Sequence, residues 1–119
     1  MNEPLAMPTE RPPLHVRDVP ESGRYEATLG GDPALASLLD YSLGKGWIAL
    51  LHTEVIDGYE GQGIGSRLVS AVLDDARQRG LKVVPKCPFV ARWLERHPEQ
   101  QDVLSRPLAT PEADDLEPA

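Results

Sequence analysis

The 119-residue chain has one cysteine, one phenylalanine and two methionines, and no long apolar run. Each scarcity excludes something. A lone cysteine, Cys87, cannot form an internal disulfide, which fits a reducing compartment and an expected cytoplasmic location. No apolar stretch approaches the roughly 20 residues that span a bilayer. The opening "MNEPLAMPTERPP" lacks the basic start and apolar stretch of a secretion signal. A surplus of positive charge is missing too. The net charge is −7, which argues against nucleic acid as the main partner, because phosphate-backbone affinity rests on Lys and Arg. No His/Cys/Asp/Glu spacing reads as a metal site.

The charge is uneven. Residues 62–97 hold seven Lys/Arg and three acids, whereas the flanking stretches are strongly acidic. A local basic island suits a small polyanion, or it is only the solvated face of helices. The ends are rich in proline and poor in large apolar residues. Residues 1–13 and the acidic 105–119 read as tails around a single working domain, 14–104.

Within that domain "RYEATLG" (24–30) alternates and runs into Gly30-Gly31, a hairpin signal. Residues 33–44, bounded by Pro33 and Gly44, read as a strand, and "WIALLHTEV" (47–55) as a clearer one. Strict alternation there puts Ile48, Leu50, His52 and Glu54 on one face and Trp47, Ala49, Leu51, Thr53 and Val55 on the other. Next, Ile64, Leu68, Val69, Val72, Leu73 and Ala76 recur at helical spacing, and Gly80 closes that helix. "LKVVP" (81–85) is a short buried strand. Residues 87–97 form a second helix, with Pro88 in its first turn and a stripe of Phe89, Val90, Trp93, Leu94 and His97. His97 on that stripe reads as a core histidine. The fold class is α+β: a mixed, mostly antiparallel twisted sheet with two main helices.

"GYEGQGIGSRLV" places Gly61, Gly63 and Gly65 directly before the first helix. A glycine-rich turn there lets backbone N–H groups and the positive end of the helix dipole converge on a phosphate or diphosphate. A Walker loop is excluded, because Gly65-Ser66-Arg67 replaces the Gly-Lys-Ser/Thr ending. The dinucleotide fingerprint fails at Ser66.

The segment "VIDGYEGQGIGSRLVSAVLDDARQRGLKVVP", with "HTEV" before it and "KCPFVARWLERHPE" after it, resembles the Gcn5-related N-acetyltransferases, in their small single-domain branch. The resemblance runs from about Arg24 to Leu104. It implies two central strands that splay apart, with acetyl-coenzyme A in the opening as cofactor. The loop Gln62, Gly63, Ile64, Gly65 and Ser66 would then carry the diphosphate. Thr53 and Val55, with Glu54 between them, would offer backbone groups to the pantetheine arm. Glu60 stands where the family pattern has Arg or Gln, and Trp93-Leu94 where a tyrosine acid is frequent.

Acetyl transfer requires a proton acceptor for the amine and a proton donor for the leaving thiolate. His52 and Glu54 are candidates for the first task, or else a structural histidine and its solvated neighbour. Cys87, at a strand-to-helix junction that in the family pattern faces the reactive end of the cofactor, could carry the acyl group, donate the proton, or merely line the site. Only about 16 residues, Gly30 to Lys45, separate the early strands. The resemblance then implies an open acceptor site for an amine on a protein, a polyamine or a small molecule, in a monomer or weak dimer. The other class of function is a non-catalytic coenzyme A-binding or interaction module.

Overall fold

The computed structural model describes residues 12–108. The strands β1 (Leu14–Val19), β2 (Arg24–Leu29), β3 (Leu35–Gly44) and β4 (Trp47–Val55) precede α1 (Ile64–Gln78), β5 (Lys82–Pro85) and α2 (Pro88–Arg96). They form one sheet in sequence order, antiparallel except for the parallel β4–β5 pair. The expected antiparallel strands, the short strand after α1 and both helices are present, though that short strand buries only Val83. β1 went unread, because a short edge strand that buries only Val19 has little pattern. Of the two expected tails, residues 1–11 and 109–119 lie outside the described part. Within it, Ser105 N–H donates to the Val83 carbonyl and Leu108 packs against the core.

Both helices contribute to one core, together with the sheet face of Tyr25, Ala27, Leu39, Tyr41, Ile48, Leu50 and Val83. The amphipathic stripe of α1 is buried as its spacing predicts. The opposite sheet face carries Arg17, Arg24, Glu26, Asp40, His52 and Glu54 by register, and among the described residues no helix packs on it.

Two irregularities of β4 position everything that follows. Its pairing with β5 ends at Leu50 opposite Pro85, while β4 itself continues to Val55. Proline has no N–H with which to continue a ladder. The chain turns instead, and Cys87 N–H closes on the Leu50 carbonyl at 2.8 Å. Residues 51–55 therefore lack a neighbour on that side, and the central strands splay. The second irregularity is a bulge at Leu51: Asp40 pairs with His52 and Tyr41 with Leu50. The extra residue shifts the alternation by one. Thr53 and Val55, not His52 and Glu54, share the core face with Ile48 and Leu50. This corrects the strict alternation expected above.

A polar knot ties the far end of α1 to the sheet. Tyr25 Oη donates to Asp75 at 2.6 Å, Tyr41 Oη donates to Asp18 at 2.5 Å, and Arg79 reaches both carboxylates. Burial, then the bond to Asp18, pushes the Tyr41 hydroxyl up to about 12. Burial and Asp75 likewise raise Tyr25. A phenol raised on folding lends stability that is complete below its unfolded value near 10 and lost as pH climbs through the folded value. The melting temperature is therefore expected to fall between pH 10 and 12, and to fall less steeply in a Tyr25→Phe, Tyr41→Phe variant. Asp75→Ala strands the Tyr25 hydroxyl and should cost about 1–3 kcal/mol in chemical denaturation. In contrast, the Ser37 hydroxyl is fully buried without a partner. Ser37→Ala should leave stability unchanged or raise it by about 1 kcal/mol.

Candidate active site

The loop between β4 and α1 is held by short local bonds. Ile56 N–H donates to Ala36, Tyr59 N–H to Ile56, and the Tyr59 hydroxyl to Asp32 at 2.9 Å. Gly61 and Gly63 have φ of 82° and 68°, a left-handed backbone that costs L residues about 1–2 kcal/mol. Gly63 is the N-cap of α1, and no side chain caps it. The first intrahelical bond runs from Arg67 N–H to the Gly63 carbonyl. The amides of Ile64, Gly65 and Ser66 thus have no acceptor within the helix and face outward at its positive end.

Gly65 serves differently. A Cβ there would lie 3.0 Å from Phe89 Cζ and 3.5 Å from Val55 Cγ2. Its bare backbone lets α1, α2 and β4 converge. Glu60, the acid at the loop, is occupied locally. Its carboxylate accepts Gly58 N–H at 2.9 Å, and its own and the Gly58 backbone bonds hold it below the usual carboxylate range. Its carboxylate therefore stays ionised, tied to the loop backbone, on the wall of the same space that the helix amides face.

These parts enclose a cleft of about 440 Å³. Val55, Gly65 and Phe89 line an apolar portion, and Tyr59, Glu60, Gly61, Gly63, Ser66, Arg96 and His97 a polar one in which one acid stands against one guanidinium. Trp93 Nε1 donates to Ser66 Oγ at 2.7 Å, which leaves the Ser66 hydroxyl hydrogen free to point elsewhere. The His97 ring stacks on Trp93 with centroids 3.8 Å apart. Its Nδ1 lies 2.8 Å from the Trp93 carbonyl. A carbonyl only accepts, so Nδ1 carries the hydrogen. His97 is half-buried on the cleft wall rather than in the core, which corrects the expectation for it. The arrangement can hold a molecule with an anionic head and an apolar arm.

Beyond the apolar portion, Thr53 on β4 and Cys87 at the N-cap of α2 meet across the splayed strands. Their Oγ1 and Sγ atoms are 3.5 Å apart, and Cys87 is buried. His52 and Glu54 stand elsewhere. The bulge turns them to the opposite sheet face, where Nε2 and Oε1 are 3.5 Å apart and both side chains are more than half exposed.

Of the residues expected from sequence, Val55, Gly63, Ile64, Gly65 and Ser66 are brought together in the cleft, and Gln62 is not among its lining. Thr53 joins Cys87, while His52 and Glu54 are separated from both. Sequence reasoning missed Arg96, His97 and Trp93 as one wall of the site. The signal was present as the 93/97 helical spacing after Pro88 and the basic island. Both were outweighed by the apolar company these residues keep. Among the described residues no group of three or more His, Cys, Asp or Glu could hold a metal.

Residues 24–103 match the family model described as GCN5-related N-acetyl-transferase. The chain is 31% identical to Protein NATD1 of Gallus gallus over 98 residues, covering 82% of this chain and 89% of that protein. It is 32% identical to Protein NATD1 of Mus musculus, covering 75% and 81%. The solution NMR structure of a GCN5-like candidate N-acetyltransferase from Staphylococcus aureus superposes with a TM-score of 0.59 at 29% identity, over 76% of this chain and 87% of that one. The glycine loop at the mouth of α1, the splayed β4–β5 pair and these likenesses agree: the chain belongs to the GCN5-related N-acetyltransferase family.

Proposed function

We propose that the protein transfers the acetyl group of acetyl-coenzyme A to an amine. The observation that carries this reading is the cleft itself. Unpaired helix amides and the cationic Arg96 lie in its polar portion and outnumber its one acid, Glu60, and the apolar walls of Val55, Gly65 and Phe89 lead toward the Thr53–Cys87 contact. The amides of Ile64, Gly65 and Ser66 and the free Ser66 hydroxyl suit the diphosphate. The Gly65 cradle, which a Cβ would narrow, suits a thin arm passing between α1 and β4. When bound, acetyl-coenzyme A supplies the activated acyl group as a thioester.

The chain's own residues then have three tasks. The exposed β4 edge beyond Leu50 offers backbone groups that hold the arm extended. Transfer to an amine would need one proton taken from the amine and one given to the departing sulfur. Cys87 is the side chain placed to give that proton, with Thr53 Oγ1 beside it to pass on another. His52 and Glu54, on the sheet face open to solvent, accept the proton that the amine releases, through water. A route through Cys87 would use the same geometry: the thiol would pass its proton to the departing sulfur and hold the acetyl group until the amine takes it.

Coenzyme A at about a hundred-fold excess over Kd should stabilise the chain by about 2.7 kcal/mol and raise its melting temperature by about 10 °C. Gly65→Val, whose branched side chain meets Phe89 and Val55, should fold yet show no such rise. A wild-type melting temperature indifferent to coenzyme A would remove the cofactor from this proposal. For the chemistry, intact-protein mass spectrometry after mixing with acetyl-coenzyme A should show a 1:1 acetyl adduct if the covalent route operates, and none in Cys87→Ala. Turnover without any wild-type adduct would leave Cys87 as the proton donor. Its alanine variant should then lose about 10²–10⁴-fold in rate.

A further inference from the structure

On the sheet face away from the helices lies a separate hollow of about 330 Å³, lined by Trp47, Ala49, Val84, Lys86 and Ser105. Its walls are almost wholly apolar. Ala49 pairs with Val84, and one residue further on the pairing ends at Leu50 and Pro85. The Lys86 end of the hollow therefore lies next to the point where the two strands part, on the sheet face opposite Thr53 and the buried Cys87. Trp47 is 39% exposed and Leu51, at the bulge, 43%. The indole lies over Gly44, where any Cβ would collide with it. An aromatic ring thus walls the end of the hollow farthest from the opening, with water on its free side.

The charges around the hollow are ordered. No carboxylate lines it. Lys86 stands at its rim, exposed, with no ion-pair partner among the described residues. Past the bulge, on the same face, come His52 and Glu54. Apolar slot, cation and acid therefore follow one another along the β4–β5 seam. A polyamine fits this order poorly, since its second ammonium would face Lys86 and find no acid in the slot. A lysine side chain offers Lys86 no anion. An amino acid with an apolar side chain meets all three demands. Its side chain covers Trp47, Ala49 and Val84, its carboxylate pairs with Lys86, and its amino group sits at the opening toward Glu54.

We propose that the acceptor is a small amine of amino-acid type, with an apolar body and a free carboxylate, seated in this hollow. The assignment of substrate class rests on the transfer reading above. It is tested by ¹⁵N NMR titrations of the full chain with L-phenylalanine, phenylalaninamide and spermidine, the Trp47 indole signal being identified through Trp47→Phe. Phenylalanine should shift that signal saturably. Phenylalaninamide, which lacks the carboxylate, should bind about three- to five-fold more weakly, the size of a partly exposed ion pair. Lys86→Gln should bring phenylalanine down to the amide's affinity and leave the amide unchanged. Equal binding of acid and amide to the wild type, spermidine outcompeting phenylalanine at Trp47, or no saturable shift there would overturn the proposal. Coenzyme A titrated into the same samples reads the glycine loop separately. Loop shifts with a silent Trp47 defeat this inference alone, whereas a silent loop defeats the transfer reading.

Discussion

One interrupted ladder organises this molecule. Among the described residues β4 and β5 are the one pair of parallel strands, and they stay paired for four residues. Pro85 cannot donate to a further rung, Cys87 N–H turns back to Leu50, and Pro88 starts α2. The cost is a central strand with five residues unpartnered on one side. The consequence is a gap in the ladder beyond Leu50, a passage along the freed edge of β4 beside the Thr53–Cys87 contact. A continuous ladder would have made a better sheet and closed this passage.

The bulge at Leu51 decides what faces each side of the passage. Without the extra residue, His52 and Glu54 would point at Cys87 and the helices, and Thr53 and Val55 at solvent. With it, the helix side is lined by a hydroxyl, a thiol and aliphatic groups, and the two titratable side chains are left with water. The site is thereby divided between a helix side that holds the cleft and a sheet face where proton exchange with solvent is easy. The Tyr25–Asp75–Arg79–Asp18–Tyr41 knot lies at the other end of α1. It anchors that helix so that its N-terminus is presented at a fixed distance from β4.

Much of this was legible beforehand because it is local. Helical spacing marked α1 and α2, the 24–55 stretch alternated, and glycines at 61, 63 and 65 marked a helix mouth meant for close approach. The resemblance carried by that loop pointed to the family that the comparisons then showed. Three things were not legible. β1 is an edge strand with a faint pattern. His97 keeps apolar company in the sequence but lines the cleft, because stacking on Trp93 holds it at the helix surface. Trp93 is in the core as its stripe implied, but nothing local told that its indole N–H is spent on Ser66.

Taken alone, the sequence settles the order of elements, the glycine loop, the chain reversal between Pro85 and Pro88 and the single thiol, since each depends on neighbouring residues and short-range backbone rules. Only the tertiary structure decides which side chains share a face of β4, that Thr53 meets Cys87, and that an apolar hollow with Lys86 at its rim lies behind the opening. A one-residue bulge reverses every later side chain on a strand, and it is set by the partner strand's register, which no local pattern records.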